Sequence, residues 1–421
     1  MIEKMKKIKW ILAPLLLPLL ASAQGQEKLL NGQWRGELLR SDNQRIVFNF
    51  EVHQSAGKLG ITLRNAEERL AVDEIETTKD SIFIKLPFFD SEFRAAFSQK
   101  DRLQGSWITH LADKDAVMPF VAIYTGKKYE RFKAVNKKPA GDISGRWATS
   151  FINPANGKET KAIGVFKQKG KKLTGSFITP SGDYRYLEGV VDGDSLKFSG
   201  FDGGYAIYFT AHIRNNNQID GGKYYSANGP LPRTWTAERD PLAELPDNLS
   251  ATRLKSGASP RLSFTFPDTD RNLISINDAR FKNKVVLVQV LGSWCPNCMD
   301  ESVFLNEIYS TYSRNEVEII GLAYERSADF DRSKQSVLNF MKRLHVEYPV
   351  LLTSVAANDP ENAEKTLPQL DKILIFPTTV FIDRKGEIQK ILTGFNGPGT
   401  GAEYDKQKKL YKDIIEGLLN R

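Results

Sequence analysis

Cys295-Pro296-Asn297-Cys298 is the stretch of this chain that most directly implies chemistry. Its cysteines are the only two among 421 residues. A disulfide between them closes almost no loop, so it would constrain the unfolded chain little. Redox chemistry is therefore a better reason for the pair than stability. The continuous apolar run Val285 to Leu291 precedes it and reads as a buried strand. A helical pattern follows, with Phe304, Ile308 and Tyr312 on one face. The first cysteine thus falls where a strand ends and a helix begins. The free N–H groups and the partial positive charge of a helix N-terminus favour a thiolate there. Pro296 suits the first turn, where its missing N–H is no loss. Cys295, exposed beside Trp294, is the expected nucleophile, attacking a client disulfide to form a mixed disulfide. Cys298, one turn on and more buried, then attacks Cys295 and releases the reduced client.

Other readings of the pair fare worse. A zinc site asks for four ligands. The chain has no second cysteine pair, and His53, His110, His212 and His345 are scattered, so neither a metal nor another cofactor is expected. The glycine-rich run Gly397 to Gly401 follows a hairpin and lacks the Lys-Ser/Thr of a phosphate loop.

The elements that must hold the pair alternate in type. After Val285 to Leu291 and the helix come a strand from Val317 to Tyr324, a helix from Ser333 to Leu344 with an apolar stripe at Val337, Phe340, Met341 and Leu344, and a short strand from Pro349 to Leu352. A hairpin of Thr378 to Ile382 and Ile388 to Leu392 turns at Arg384-Lys385-Gly386, and an amphipathic helix from Tyr404 to Leu419 closes the chain. His345 is read as structural.

This order, with Leu291-Gly292-Ser293-Trp294-Cys295-Pro296-Asn297-Cys298, Phe376-Pro377-Thr378-Thr379 and Gly394-Phe395, resembles the TlpA/ResA branch of the thioredoxin superfamily over residues 260 to 420. The resemblance implies an α/β thioredoxin-like domain and thiol–disulfide exchange. Phe376, Pro377 and Thr378 match a cis-proline loop that faces the dithiol and, with Trp294, binds substrate. Glu301 matches an active-site glutamate that assists proton transfer at Cys298. Two departures stand out. Gln289 occupies the place of the buried acid of thioredoxin and cannot act as a base, which leaves more of that role to Glu301. Ser302 stands where the branch often has proline. The segment from Ser354 to Lys372 lengthens the approach to the proline loop. Peroxidases of the same fold carry Thr three residues before the nucleophile, where this chain has Gly292.

Residues 27 to 240 have a different texture. Short runs such as Ile46 to Val52, Ser81 to Ile84 and Tyr205 to Phe209 alternate or cluster apolar residues between Gly, Asn and Asp, the pattern of an antiparallel meander. The region looks duplicated. Gly32-Gln33-Trp34 recurs as Gly145-Arg146-Trp147, Lys58-Leu59 as Lys172-Leu173, and Asp80-Ser81-Ile82 as Asp194-Ser195-Leu196. Each unit opens with a G-x-W strand and closes near a second tryptophan, Trp107 or Trp235. The layout resembles small barrels of the lipocalin or streptavidin kind, and a barrel or sandwich would remove exposed sheet edges. All four tryptophans are expected in the cores.

The expected organisation is a leader at 1–23, a first β unit at 27–138, a second at 139–240, a linker at 241–260 rich in Pro, Ser and Gly, and the thioredoxin-like domain at 261–421. The leader joins Lys4, Lys6, Lys7 and Lys9 to an apolar run from Trp10 to Leu20 and Ala21-Ser22-Ala23, the form of a cleaved signal peptide. The run is too short to span a bilayer. No cysteine follows it, which excludes a lipid-anchored form. The net charge of +8 lies partly in that leader, and no basic block with interleaved aromatics exists, so nucleic acid is not an expected partner.

These features predict a periplasmic or envelope disulfide reductase acting on protein disulfides. Net reduction in an oxidising compartment requires an electron donor, expected to be a membrane-bound reductase. Two alternatives remain at this level: an oxidase or isomerase using the same dithiol, or a β-domain binding protein with the thioredoxin-like domain as accessory.

Overall fold

A computed structural model describes residues 29–421 except 56, 112–113, 134–136, 228, 247–250 and 313–315. The leader expected at 1–23 lies outside the described residues.

Two antiparallel sheets come first. One has nine strands, running in chain order from Gly32–Leu39 to Asp115–Gly126, which pair with each other at its centre. The other also has nine, from Gly145–Ile152 to Arg233–Arg239, and it closes on itself because Glu159–Lys169 pairs with Lys172–Thr179. Closure satisfies the backbone groups that an open edge would leave unpaired. The duplication is visible in detail. Trp34 and Trp147 are both fully buried, and each indole N–H donates to the carbonyl four residues earlier, Leu30 O and Ile143 O, at 2.9 Å. The second tryptophans are not equivalent, however. Trp107 lies on the next-to-last strand of its sheet and Trp235 on the last. Phe201 of the second sheet packs among the core residues of the first, its ring 4.2 Å from that of Phe48. The two sheets therefore share apolar contact.

The C-terminal domain holds a five-stranded sheet ordered Val350–Leu352, Val317–Ala323, Val285–Leu291, Thr378–Ile382, Ile388–Thr393. Val285–Leu291 is central. It runs parallel to Val317–Ala323 and antiparallel to Thr378–Ile382, and all seven of its residues are buried. That is why it reads as an uninterrupted apolar run. Helices Pro296–Thr311, Phe330–Leu344 and Ala402–Leu419 pack on the sheet, with a short helix at Asn362–Thr366 in the long approach to Pro377. Asp329 caps Phe330–Leu344, accepting from the Arg332 N–H at 2.8 Å. His345 ends that helix in the left-handed conformation, which gives its structural role a physical form.

The stretch expected as a linker is partly built into this domain. Leu254 bridges to Leu370, and the Lys255 N–H donates to Gln369 O at 2.9 Å. Among the described residues no helix is long and apolar enough to cross a membrane.

Candidate active site

The dithiol sits at the junction foreseen from the sequence. Cys295 has extended backbone and caps helix Pro296–Thr311, and its Sγ accepts the Cys298 N–H at 3.3 Å. Its thiol lies 3.4 Å from Phe376 O, to which it donates. The Phe376-Pro377 peptide bond is cis. Trp294 packs edge-on against Phe376, with ring centroids 5.3 Å apart, and its indole N–H donates to Tyr324 O. Both cysteines are free thiols. The structure thus gathers Trp294, Cys295, Cys298, Phe376 and Pro377 at one place. Thr378 is different. It is fully buried, with its hydroxyl donating to Ile375 O at 2.9 Å, so it shapes the loop from behind and has no open face for substrate.

The expected exposure of Cys295 does not hold: the residue is only 4% accessible. The cover comes from the β sheets. Gly204, in the turn between strands Ser195–Phe201 and Ala206–Asn215 of the second sheet, lies so close that a Cβ there would stand 3.0 Å from Pro296 Cγ and 2.8 Å from the Phe89 ring. Phe89, from the first sheet, belongs to the same apolar cluster as both cysteines. An opening remains beside the nucleophile. It is a groove of about 360 Å³ bounded by Tyr205, Tyr224 and Ser226 on the β side and by Trp294, Cys295 and Phe376 on the other.

Cys298 is completely buried, and burial pushes its thiol well above the usual range, helped by the neighbouring Cys295 sulfur and the Glu301 carboxylate. Deprotonating it therefore needs a nearby acceptor. Glu301 is also completely buried, against the default of a solvated helix carboxylate. It receives three neutral donors: Tyr411 OH at 2.5 Å and Thr379 Oγ1 at 2.7 Å on one oxygen, and Gln289 Nε2 at 2.7 Å on the other. Burial raises its proton affinity and these bonds partly offset the rise. Among the described residues it has no cationic partner and makes no hydrogen bond to Cys298. Its influence on the thiol acts through space. Gln289, which cannot be a base, holds the Glu301 carboxylate in place. Its Oε1 accepts Tyr348 OH at 2.9 Å while its Nε2 holds Glu301.

Sequence reasoning missed a second set of residues. Asn297, between the cysteines, is buried and fastens the second sheet to the dithiol. It accepts from Tyr205 OH at 3.1 Å and donates to Asp183 O at 3.2 Å and Phe395 O at 3.3 Å. Asp300, immediately before Glu301, faces the opposite way. Arg185, in the connection just before strand Leu187–Asp192 of the second sheet, grips it with Nε and Nη2, both at 2.9 Å, and also meets Asp202 at 2.8 Å and Glu68 of the first sheet at 2.7 Å. One buried guanidinium thus joins all three parts of the molecule. Asp183 lies alongside, accepting the Gly397 N–H at 2.5 Å. Burial pushes both Asp183 and Glu68 up to about 7. Three carboxylates on one cation leave the cluster short of positive charge. The signal available in the sequence was weak, because each of these charges reads by default as a surface group.

Comparison with known proteins agrees with the C-terminal geometry. Residues 255–408 match the Redoxin family. Thiol-disulfide oxidoreductase ResA of Bacillus thuringiensis subsp. konkukian is 30% identical over 132 residues, 31% of this chain and 66% of the relative. The Bacillus subtilis protein of the same name is 29% identical over 139 residues, 33% of this chain and 68% of its own. The match to the first of these relatives thus spans less than two thirds of its length. Among solved structures, a thiol:disulfide interchange protein of the thioredoxin family from Chlorobium tepidum is 23% identical and covers 39% of this chain and 99% of its own, with a TM-score of 0.30. The part of the chain that matches the Redoxin family carries Cys295 and Cys298, and the chain is similar to the ResA thiol-disulfide oxidoreductases.

Proposed function

We propose that this chain is an exported thiol–disulfide oxidoreductase that reduces protein disulfides with Cys295 and Cys298. The observation that carries the reading is the pairing of Cys295, which caps its helix and faces a cis-proline loop, with a buried Cys298 one turn away beside a buried carboxylate. In the forward reaction the Cys295 thiolate attacks one client sulfur. A Cys295–client bond forms, the client S–S bond breaks, and the departing sulfur takes a proton. Glu301 accepts the Cys298 proton. The Cys298 thiolate then attacks Cys295, closing the Cys295–Cys298 disulfide and releasing the client with two electrons gained. Trp294, Phe376 and Pro377 line the client side.

Export rests on the leader form of residues 1–23, and the periplasm or envelope follows from it. A membrane-bound reductase is the fitting donor for returning the disulfide to the dithiol. The β sheets, on this reading, frame the dithiol for its client. The experiment is the equilibrium of the full chain against glutathione. A potential near about −270 mV supports reduction, whereas one near about −120 mV makes the protein an oxidant and reverses the proposed direction.

A further inference from the structure

The groove beside Cys295 continues past Trp294. A second hollow of about 490 Å³ lies on its far side, and Trp294, Arg326, Leu374 and Phe376 border both. Leu374 is 63% exposed there, an apolar side chain left open along the path. Among the described residues, Arg326 is the one charged group that borders both hollows.

Its setting is unusual. The guanidinium stands 5.8 Å from the centre of the Trp294 ring. One nitrogen, Nη1, donates to two backbone carbonyls of the first sheet, Phe89 O and His110 O, each at 3.3 Å. Among the described residues, Nε and Nη2 have no hydrogen-bond partner, and the side chain makes no ion pair. The two nearby carboxylates are engaged elsewhere. Glu325 accepts the Ser293 N–H at 2.8 Å and its hydroxyl at 2.7 Å, and Asp90 pairs with Arg332 at 3.6 Å. Burial makes this guanidinium hold its proton less tightly than usual, as expected of a cation short of counter-charge. An arginine pinned at one nitrogen presents its remaining donors in a fixed plane, the geometry that suits a carboxylate.

We infer that Arg326 is a substrate-recognition residue which binds a carboxylate carried by an extended client segment lying in the groove beside its cysteine. The inference rests on the exchange reaction proposed above and gives it a substrate class: flexible, acidic segments around a disulfide. It also gives the first sheet a task, since that sheet supplies the carbonyls that aim Arg326. A folded surface cannot follow the groove to a cysteine that is only 4% exposed.

The test uses full-length Cys298→Ser protein and short peptides whose single cysteine carries a neutral 2-thiopyridyl disulfide. Cys295 forms a disulfide with the peptide sulfur and pyridine-2-thione leaves, which its absorbance reports. Three peptides are compared, with Asp, Asn or Lys two residues from the cysteine on either side. The Asp peptide is expected to react roughly tenfold faster than the Asn peptide, and the Lys peptide slowest. Adding Arg326→Gln should bring the Asp-to-Asn ratio close to one. This ratio is independent of the folded fraction, because both peptides meet the same sample. Arg326→Lys should keep part of the preference. Equal rates for the three peptides, or a preference that survives Arg326→Gln, would overturn the role of Arg326 while leaving the exchange reading intact. No reaction with any peptide would instead remove the exchange reading itself.

Discussion

Asp300 and Glu301 are neighbours on one helical turn, both buried, and they live in opposite surroundings. Glu301 points into the thioredoxin-like domain and meets only neutral donors. Asp300 points out of it and meets a guanidinium from another sheet. A buried carboxylate held by hydroxyls and an amide can still exchange its proton, because no fixed cation locks the charged form. A carboxylate gripped bidentately by arginine is committed to that partner. The difference teaches how a single turn after the dithiol can hold two carboxylates in opposite settings: neutral donors on one face, in line with the proton-accepting role proposed for Glu301, and a cation from another part of the molecule on the other.

The largest effect should come from breaking the outer face at its cation. Arg185→Met strands Asp300, Asp202 and Glu68 in a buried site, and loss of one partner from a buried pair costs about 3–5 kcal/mol. Denaturant unfolding of the full chain should show this, and a loss below about 1 kcal/mol would mean that the junction contributes little.

On the inner face, Glu301→Gln should slow the second chemical step by about 100-fold with little loss of stability. The readout is the lifetime of a mixed disulfide in the otherwise intact dithiol. The carboxylate must be ionised to accept the Cys298 proton, so in the native protein this step should slow as pH falls through the raised Glu301 pKa. The variant should lack that acid limb. An unchanged pH profile would assign the proton to another group.

A smaller effect concerns Asp183 at the outer face. Its folded pKa, about 7, lies above the ordinary 3.8. The folded protein then keeps a proton that the unfolded chain has already released, so the stabilisation is present at low pH and lost as pH rises towards 7. Relative to Asp183→Asn, the native protein should lose up to about 1.4 kcal/mol of stability per pH unit across that window. Parallel curves for the two proteins would contradict the burial argument.

Smallest of all should be Asp300→Asn, at about 1 kcal/mol. It removes one negative charge from a cluster with too many, and so loses far less than removal of Arg185. It should leave the mixed-disulfide lifetime near that of the native protein. If Asp300→Asn and Glu301→Gln exchanged these readouts, the division of labour between the two faces would be reversed.

How much of this was legible in the sequence follows a physical line. Val285 to Leu291, the dithiol and the hairpin at Arg384-Lys385-Gly386 were readable because strand burial, helix starts and tight turns leave local patterns. The repeated G-x-W strands were readable because Trp34 and Trp147 fill equivalent core positions. Contacts between parts of the molecule leave no such period. Glu68 and Asp300 are each more than a hundred residues from Arg185, and nothing in their spacing foretells one buried cluster. The cover over Cys295 was missed for the same reason, since Gly204 and Phe89 reach it from separate sheets. Gln289 reads in the sequence only as a residue that cannot be a base; its bond to Glu301, and the bonds of Tyr348 to Gln289 and of Tyr411 to Glu301, arise from the fold.

The most direct test of the central claim is to express full-length Cys298→Ser in its own cell and isolate what it holds by disulfide. The account predicts envelope proteins bound covalently through Cys295, released by a reducing agent, and absent when Cys295 is also changed to Ser. Recovery of the same partners from Cys295→Ser/Cys298→Ser protein, or no covalent partner at all, would contradict it.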